Sequence, residues 1–403
     1  MLFKTTFFIS VFSGLVVGYN SNIISGAILF ISRQFHFQTN NTEDIISAAL
    51  WGGLIAVIFA NIIADFLGRK PTLIFSIFLI LIGPIMSVFE SQFWSFELGR
   101  GILGLGLGLS SIIVPLYLVE VTPALYRGKI LAAGSGSFMT GCLFSNVIEI
   151  AFSKKSDWKI MLLIGSFLAF IELIALFFIP NSPMDKIKKP HIPWKNFISY
   201  PGIRLTLLVG LAVGIMEKAT GIGTVSYYAP ILIEQAGIAD PVYALIASLF
   251  ISLVGILTAI YVTVIIDKVG RKPLLQFGLK LMFVSLLTAG IGFLLPSHVL
   301  SSFFVMASLF IYSASFNVSL GTLVWVLIPE VFPAHYRAKG ISLILMLTWA
   351  SNALISQCFL SLIDILGDAG LFFLFAAITL ASYAFVKKYV RETCAQELNS
   401  TTR

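Results

Sequence analysis

Glu217 and Lys218 stand side by side in "GIMEKATGIGTVSYYAP" (214–230), and no other charge falls between Arg204 and Glu234. A charge at the centre of a bilayer costs about 2.5–3.5 kcal/mol on insertion scales, so intramembrane ionisable groups mark solute or proton paths by default. Neighbouring residues diverge by about 100° around a helix, so the two side chains are expected not to face each other squarely. Glu217 is then expected to face a water-filled cavity, with Lys218 beside it or paired to another helix. The plainer alternative is a self-compensating pair, with Glu149 or Glu172 as partners for Lys218. Other chemistry is poorly supplied. The chain has three cysteines and four scattered histidines, without metal-ligand spacing or a disulfide framework. No nucleophile–base pair stands out, so the reading is of a protein that is not an enzyme and needs no metal or cofactor.

The elements that must position this pair are membrane helices. Of 403 residues, 58% are hydrophobic and 11% charged, and mean hydropathy is +0.97, whereas ordinary domains carry about 25% charge. Twelve apolar runs are long enough to cross a bilayer core: 5–31, 45–65, 71–89, 98–121, 128–151, 158–179, 203–234, 242–266, 273–295, 301–328, 340–364 and 370–389. The first is too long for a signal peptide and lacks a cleavage site. Nineteen of the 26 lysines and arginines fall on the side of the N-terminus and five on the other, which predicts cytoplasmic termini and no nucleic-acid partner. Asn40, in "NNT" of the first outer loop, fits an N-glycan acceptor. Trp51, Trp94, Trp158 and Trp194 near span ends fit an interfacial belt. The alternating Gly104, Gly106 and Gly108 fit close helix packing.

The chain also repeats itself. "EVTPALYRGK" (120–129) and "EVFPAHYRAK" (330–339) agree at seven of ten positions, and "ADFLGRKP" (64–71) and "IDKVGRKP" (266–273) share the Asp and the whole GRKP. The expected architecture is all-α, with twelve transmembrane helices in two pseudo-symmetric six-helix bundles. The expected parts are 1–179, a short cytoplasmic linker 180–202, a second bundle 203–389 and a tail 390–403. A duplicated bundle is a transporter signature, with the substrate site near the midplane between repeats. The duplicated loops predict a cytoplasmic charge network of Asp65, Arg69, Glu120 and Arg127, repeated by Asp267, Arg271, Glu330 and Arg337.

These motifs resemble the sugar porter family of the major facilitator superfamily, and the likeness spans nearly the whole chain. "GYNSNIISGAI" resembles the family's first helix, "NIIADFLGRK" its loop between helices 2 and 3, and "GRGILGLGLGLSSIIVPLYLVEVTPALYRG" its fourth helix and following loop. "IPNSP" is similar to the Pro-Glu-Ser-Pro that ends helix 6. "GIGTVSYYAPILIEQAG", "GTLVWVLIPEVFP" and "TWASNA" resemble helices 7, 10 and 11. The resemblance implies transport of a monosaccharide, a hexose such as glucose, by alternating access. It implies substrate contacts from Asn20, Asn146, Glu217, Lys218, Asn317, Trp325, Trp349 and Asn352, and an outer gate of Tyr227 and Tyr228. Amides and indole faces suit sugar hydroxyls and C–H surfaces.

The departures matter too. The family has two glutamines where Glu217 and Lys218 stand, an Asn at Gly223, and prolines at Thr322 and Val324, which predicts a softer break in helix 10. Proton-coupled members resemble "GYD" in helix 1. Asn20 cannot titrate, which predicts facilitated diffusion (uniport). The alternatives are proton symport using Glu217, transport of another small polyol, or a non-transporting sugar sensor, disfavoured by the short tail. A monomer in the plasma membrane, with sugar and lipid bilayer as partners, completes the expectation.

Overall fold

The computed structural model describes residues 2–89, 93–123, 126–183, 197, 200, 203–238, 240–332 and 336–392. Most of the expected linker, and the tail beyond residue 392, lie outside them. Among the described residues all regular structure is helical, and twelve helical stretches are long and apolar enough to cross a membrane. The chain divides into two compact units: residues 1–189 with 241–249, and residues 190–240 with 250–403.

The first unit holds α1 (Leu2–Asn22), α2 (Ile24–Phe35), α3 (Thr39–Leu67), α4 (Arg69–Phe89), α5 (Phe93–Val121), α6 (Arg127–Ser153) and α7 (Trp158–Phe177). α1 and α2 form one crossing, and at their junction Ile23 keeps helical backbone angles (φ −55°, ψ −20°) and donates its N–H to Tyr19 O (2.9 Å). The second unit's spans are built from α8 (Ile203–Ala219), α9 (Ile222–Gln235), α10 (Pro241–Val269, of which 241–249 fall in the first unit), α11 (Arg271–Phe293), α12 (His298–Val318), α13 (Leu320–Val331), α14 (Arg337–Gln357) and α15 (Phe359–Tyr389). Gly221 separates α8 from α9 and Ser319 separates α12 from α13, so the seventh and tenth crossings are discontinuous. The expected boundary between the last two spans, at 364–370, surrounds Gly367, whose φ of 73° breaks the helical run inside α15.

The sequence repeat is a packing repeat. In the first unit α1 lies on α6, and α4 lies on α5 and α7; in the second α8 lies on α14, and α11 lies on α12 and α15. The GRK loops fold alike. Gly68 (φ 94°, ψ 161°) and Gly270 (φ 97°, ψ 158°) occupy one backbone region, which glycine enters without the Cβ penalty. The following lysines then cap a distant helix end: Lys70 Nζ donates to the carbonyls of Phe177 (3.0 Å) and Ile179 (2.7 Å), and Lys272 Nζ to that of Lys387 (3.2 Å).

Within lipid, helices associate by close van der Waals approach. A Cβ on Gly104 would strike the Ala49 carbonyl and one on Gly108 the Gly53 carbonyl, both in α3, while one on Gly106 would meet Ser76 and Ile80 of α4. The alternating glycines therefore let α5 seat two neighbours at backbone contact, as the spacing predicts.

One expectation fails. Trp158 is not in an interfacial belt: it is buried, donates Nε1–H to Gln34 Oε1 (2.7 Å) and packs on Phe35 and Phe96. The tenth crossing breaks without proline at Ser319, which takes φ −115°, ψ −102° while Leu323 N–H still reaches its carbonyl (2.9 Å). Its hydroxyl donates to the Ser315 carbonyl (2.7 Å), and Thr322 Oγ1 donates to that of Asn317 (2.8 Å). Hydroxyls thus serve the carbonyls around the break.

Candidate functional site

In the first unit the polar residues gather where α1 gives way to α2. Asn22 Nδ2 donates to Ser145 Oγ (2.8 Å), Asn146 Oδ1 (2.8 Å) and the Cys142 carbonyl (3.3 Å) of α6. Asn146, a predicted sugar contact, is thus already engaged, and half-buried Asn22 joins it. Sequence reasoning missed Asn22, although it lies two residues past Asn20 in "GYNSN". Asn20 is completely buried; its Nδ2 donates to Val16 O (2.9 Å) and Gly165 O (3.4 Å), while its Oδ1 finds no partner. A Cβ at Gly165 would collide with that oxygen. Asn20 therefore sits at the α1–α7 contact rather than on an open wall.

Two further acids grip the same crossing. Glu149 of α6 is fully buried and accepts from Ser25 Oγ (3.2 Å) and the Gly26 N–H (3.1 Å). Glu172 of α7 accepts from Ser13 Oγ of α1. The Oε2 atom of each has no partner, and neither carboxyl forms an ion pair among the described residues. Lys218, for which the sequence offered these acids as alternative partners, pairs with Glu217.

In the second unit Lys218 Nζ lies 2.8 Å from Glu217 Oε1. The expectation that adjacent residues cannot meet fails here, because the pair stands at the last turn of α8, where the flexible lysine stem can fold back. Glu217 is buried and its Oε2 unpartnered; the Lys218 side chain is 21% exposed. Gly221, at φ 95°, makes the break one turn later. The hydroxyl of Tyr312 donates to the Thr220 carbonyl (2.7 Å) beside it.

Asn352 projects against Gly223, so its amide fills the space left where the family has an Asn side chain. Half-buried Asn317 lies against Gly255, with Nδ2 donating to Ser313 O (2.9 Å). Trp325 is exposed and Trp349 half-buried. Of the expected gate pair, Tyr227 is half-buried. Tyr228 is wholly buried, donates to the Ser356 carbonyl (3.0 Å) and stacks on Phe359 with ring centroids 4.8 Å apart. Tyr228 is thus a packing residue of its unit in this structure.

Arg69 bridges Asp65 (2.8 Å) and Glu120 (3.4 Å), and Glu120 also accepts from Ser182 Oγ (2.6 Å). Arg127 is exposed and donates to the Thr122 carbonyl (3.1 Å) instead of closing on Glu120. In the second unit Arg271 pairs with Asp267 (2.9 Å). The Glu330 and Arg337 side chains lie outside the described residues. Glu392 was missed: it accepts from the backbone N–H groups of Arg271 and Lys272, both at 2.9 Å. Asn40 is exposed in the first turn of α3.

Polar groups beside broken membrane helices, in two packing repeats, describe a carrier. The family model "Sugar (and other) transporter" matches residues 6–189 and 184–403. The chain belongs to the sugar porter family of the major facilitator superfamily. This sugar porter is 28% identical to a D-xylose transporter of Levilactobacillus brevis, over 96% of this chain and 92% of that one. It is 26% identical to a galactose-proton symporter of Escherichia coli (96% and 90%) and to an arabinose-proton symporter of the same bacterium (94% and 89%). A crystal structure of a D-xylose-proton symporter matches its fold with a TM-score of 0.84 at 21% identity, covering 98% of this chain and 99% of that one. The sugar porter is thus a multi-pass membrane protein of a sugar-transporting family.

Proposed function

We propose that this sugar porter moves a monosaccharide, pentose or hexose, across its membrane by alternating access, as a monomer in the plasma membrane with both termini in the cytoplasm. The observation that carries the reading is the clustering of amides within the spans: Asn22 with Asn146 and Ser145 in one unit, Asn352 beside the break at Gly221 in the other. Each hydroxyl hydrogen bond contributes about 0.5–1.5 kcal/mol net. A handful, set against the cost of binding, leaves about −4 kcal/mol, or millimolar affinity, which suits a carrier that must release its load.

Two modes of coupling follow from different residues. Asn20 does not titrate, and on that residue alone transport is facilitated diffusion. Relatives named as galactose-proton and arabinose-proton symporters favour the second mode, proton symport, in which a carboxyl elsewhere must take the proton. Glu217, the sequence-based candidate, is neutralised by Lys218 at 2.8 Å. The test is counterflow: purified protein in liposomes preloaded with xylose, arabinose, galactose, glucose or a small polyol, exchanging with labelled sugar outside. Exchange with at least one monosaccharide is expected. Exchange with none, or with polyols alone, would overturn the reading.

A further inference from the structure

We propose that Glu149 is a proton-binding site of the transport cycle, which deepens the sugar-carrier reading and rests on it. Glu149 and Asn146 are three residues apart on α6, hence neighbours on one face of the helix. Both hold the same stretch of the first crossing, around Ile23: Asn146 through Asn22, Glu149 through Ser25 and Gly26. A sugar drawn to the Asn22–Asn146 amides and a proton on Glu149 therefore act on one turn of the same helix. The carboxyl is wholly buried, has no cation within pairing distance among the described residues, and leaves Oε2 without a partner. Either protonation state is incomplete in this arrangement. An ionised Oε2 lacks a donor and a protonated one lacks an acceptor, so a change of protonation favours a different setting of the first crossing against α6.

Intramembrane carboxyls of this kind serve as proton relays. Of the helices packed on α6, α1 brings Tyr19 into the field of the carboxyl, and α6 itself brings Cys142. α2 contributes only the Ser25 hydroxyl and the Gly26 amide, and no charged group of α5 or α7 pairs with it. Gly26 is part of the site, because a Cβ there would collide with the Glu149 carboxyl. In the step itself an O–H bond forms on the carboxylate with a proton from water on one side. The same bond breaks to water on the other side, one proton moving with each sugar. By linkage, sugar must then tighten proton binding as much as the proton tightens sugar binding.

Three readouts on the full chain test this. Wild-type protein in liposomes should exchange sugar at equilibrium and accumulate it when an inward proton gradient is imposed. Sugar added to weakly buffered purified protein should draw protons from solution. Glu149→Gln should keep exchange but lose both accumulation and proton uptake, whereas Glu172→Gln, an equally buried carboxyl, should keep both. Glu149→Asp, which retains a titratable group at a shorter reach, should shift the pH at which uptake is half-maximal. An unchanged Glu149→Asp profile, or accumulation by monodisperse Glu149→Gln, would overturn the proposal. So would a wild type that exchanges sugar yet ignores the gradient, and that outcome would leave the carrier reading standing. A wild type that exchanges no sugar would sink the carrier reading first.

Discussion

Glu217 and Lys218 show what residue types reveal and what they conceal. Their presence in an apolar run was legible as something needing explanation, but their mutual geometry was not. The rule that i and i+1 diverge holds for short side chains inside a helix, whereas this pair sits at a helix end with a four-carbon stem available. The 2.8 Å contact predicts a specific mutational pattern. Glu217→Gln leaves a largely buried ammonium without its partner, and Lys218→Gln leaves a buried carboxylate. Each should lower stability by about 3 kcal/mol. The double variant, which restores the two amides of the family pattern, should recover most of that loss. Thermal unfolding in detergent of the four proteins reads this directly, and additive losses would show that the two side chains do not depend on each other. Glu149 and Glu172 were visible in the sequence only as spare acids. That both would turn onto the first crossing depends on the rotational setting of α6 and α7, which apolar periodicity leaves undefined when a helix is apolar nearly all round.

At the scale of elements, span number and order follow from apolar length, and the closest helix contacts follow from glycine spacing. Breaks are harder to foresee, because in a membrane a break depends on whatever satisfies the freed carbonyls. Gly221 supplies the break in the seventh crossing, yet the Tyr312 hydroxyl that serves Thr220 O (2.7 Å) comes from another crossing 92 residues away. Tyr312→Phe keeps the ring and removes that donor, so it should destabilise by about 1–3 kcal/mol through a buried unsatisfied carbonyl. A rise in thermal stability would contradict the role. Gly104→Val should cost about 1–3 kcal/mol by driving a side chain into the α3 backbone, while substitution at Gly101, where a Cβ meets nothing within 4 Å, should be nearly silent. Equal melting temperatures for the two variants would contradict the packing account. At the tenth crossing, which lacks the family's prolines, the Ser319 and Thr322 hydroxyls serve carbonyls around the break.

Across the whole molecule, the duplicated GRK loops predicted duplicated structure, and the matching glycine conformations and lysine caps show how far the copy extends. Arg69 meets Glu120 from the fourth crossing, and the helix start at Arg271 and Lys272 receives Glu392, which follows the last crossing. The Glu392 contact was illegible because a lone Glu after the last apolar run carries no periodicity. Glu392 accepts two backbone N–H groups at the N-terminus of α11, where orphan donors and the helix dipole both favour a carboxylate. Glu392→Ala should therefore cost about 1–2 kcal/mol, the range of a lost helix cap. Removing all residues after Arg391 should cost the same if this single side chain is what ties the end of the chain to α11. Thermal unfolding of the two variants decides it: a truncation much more damaging than Glu392→Ala would mean that residues beyond 392 contribute anchoring of their own.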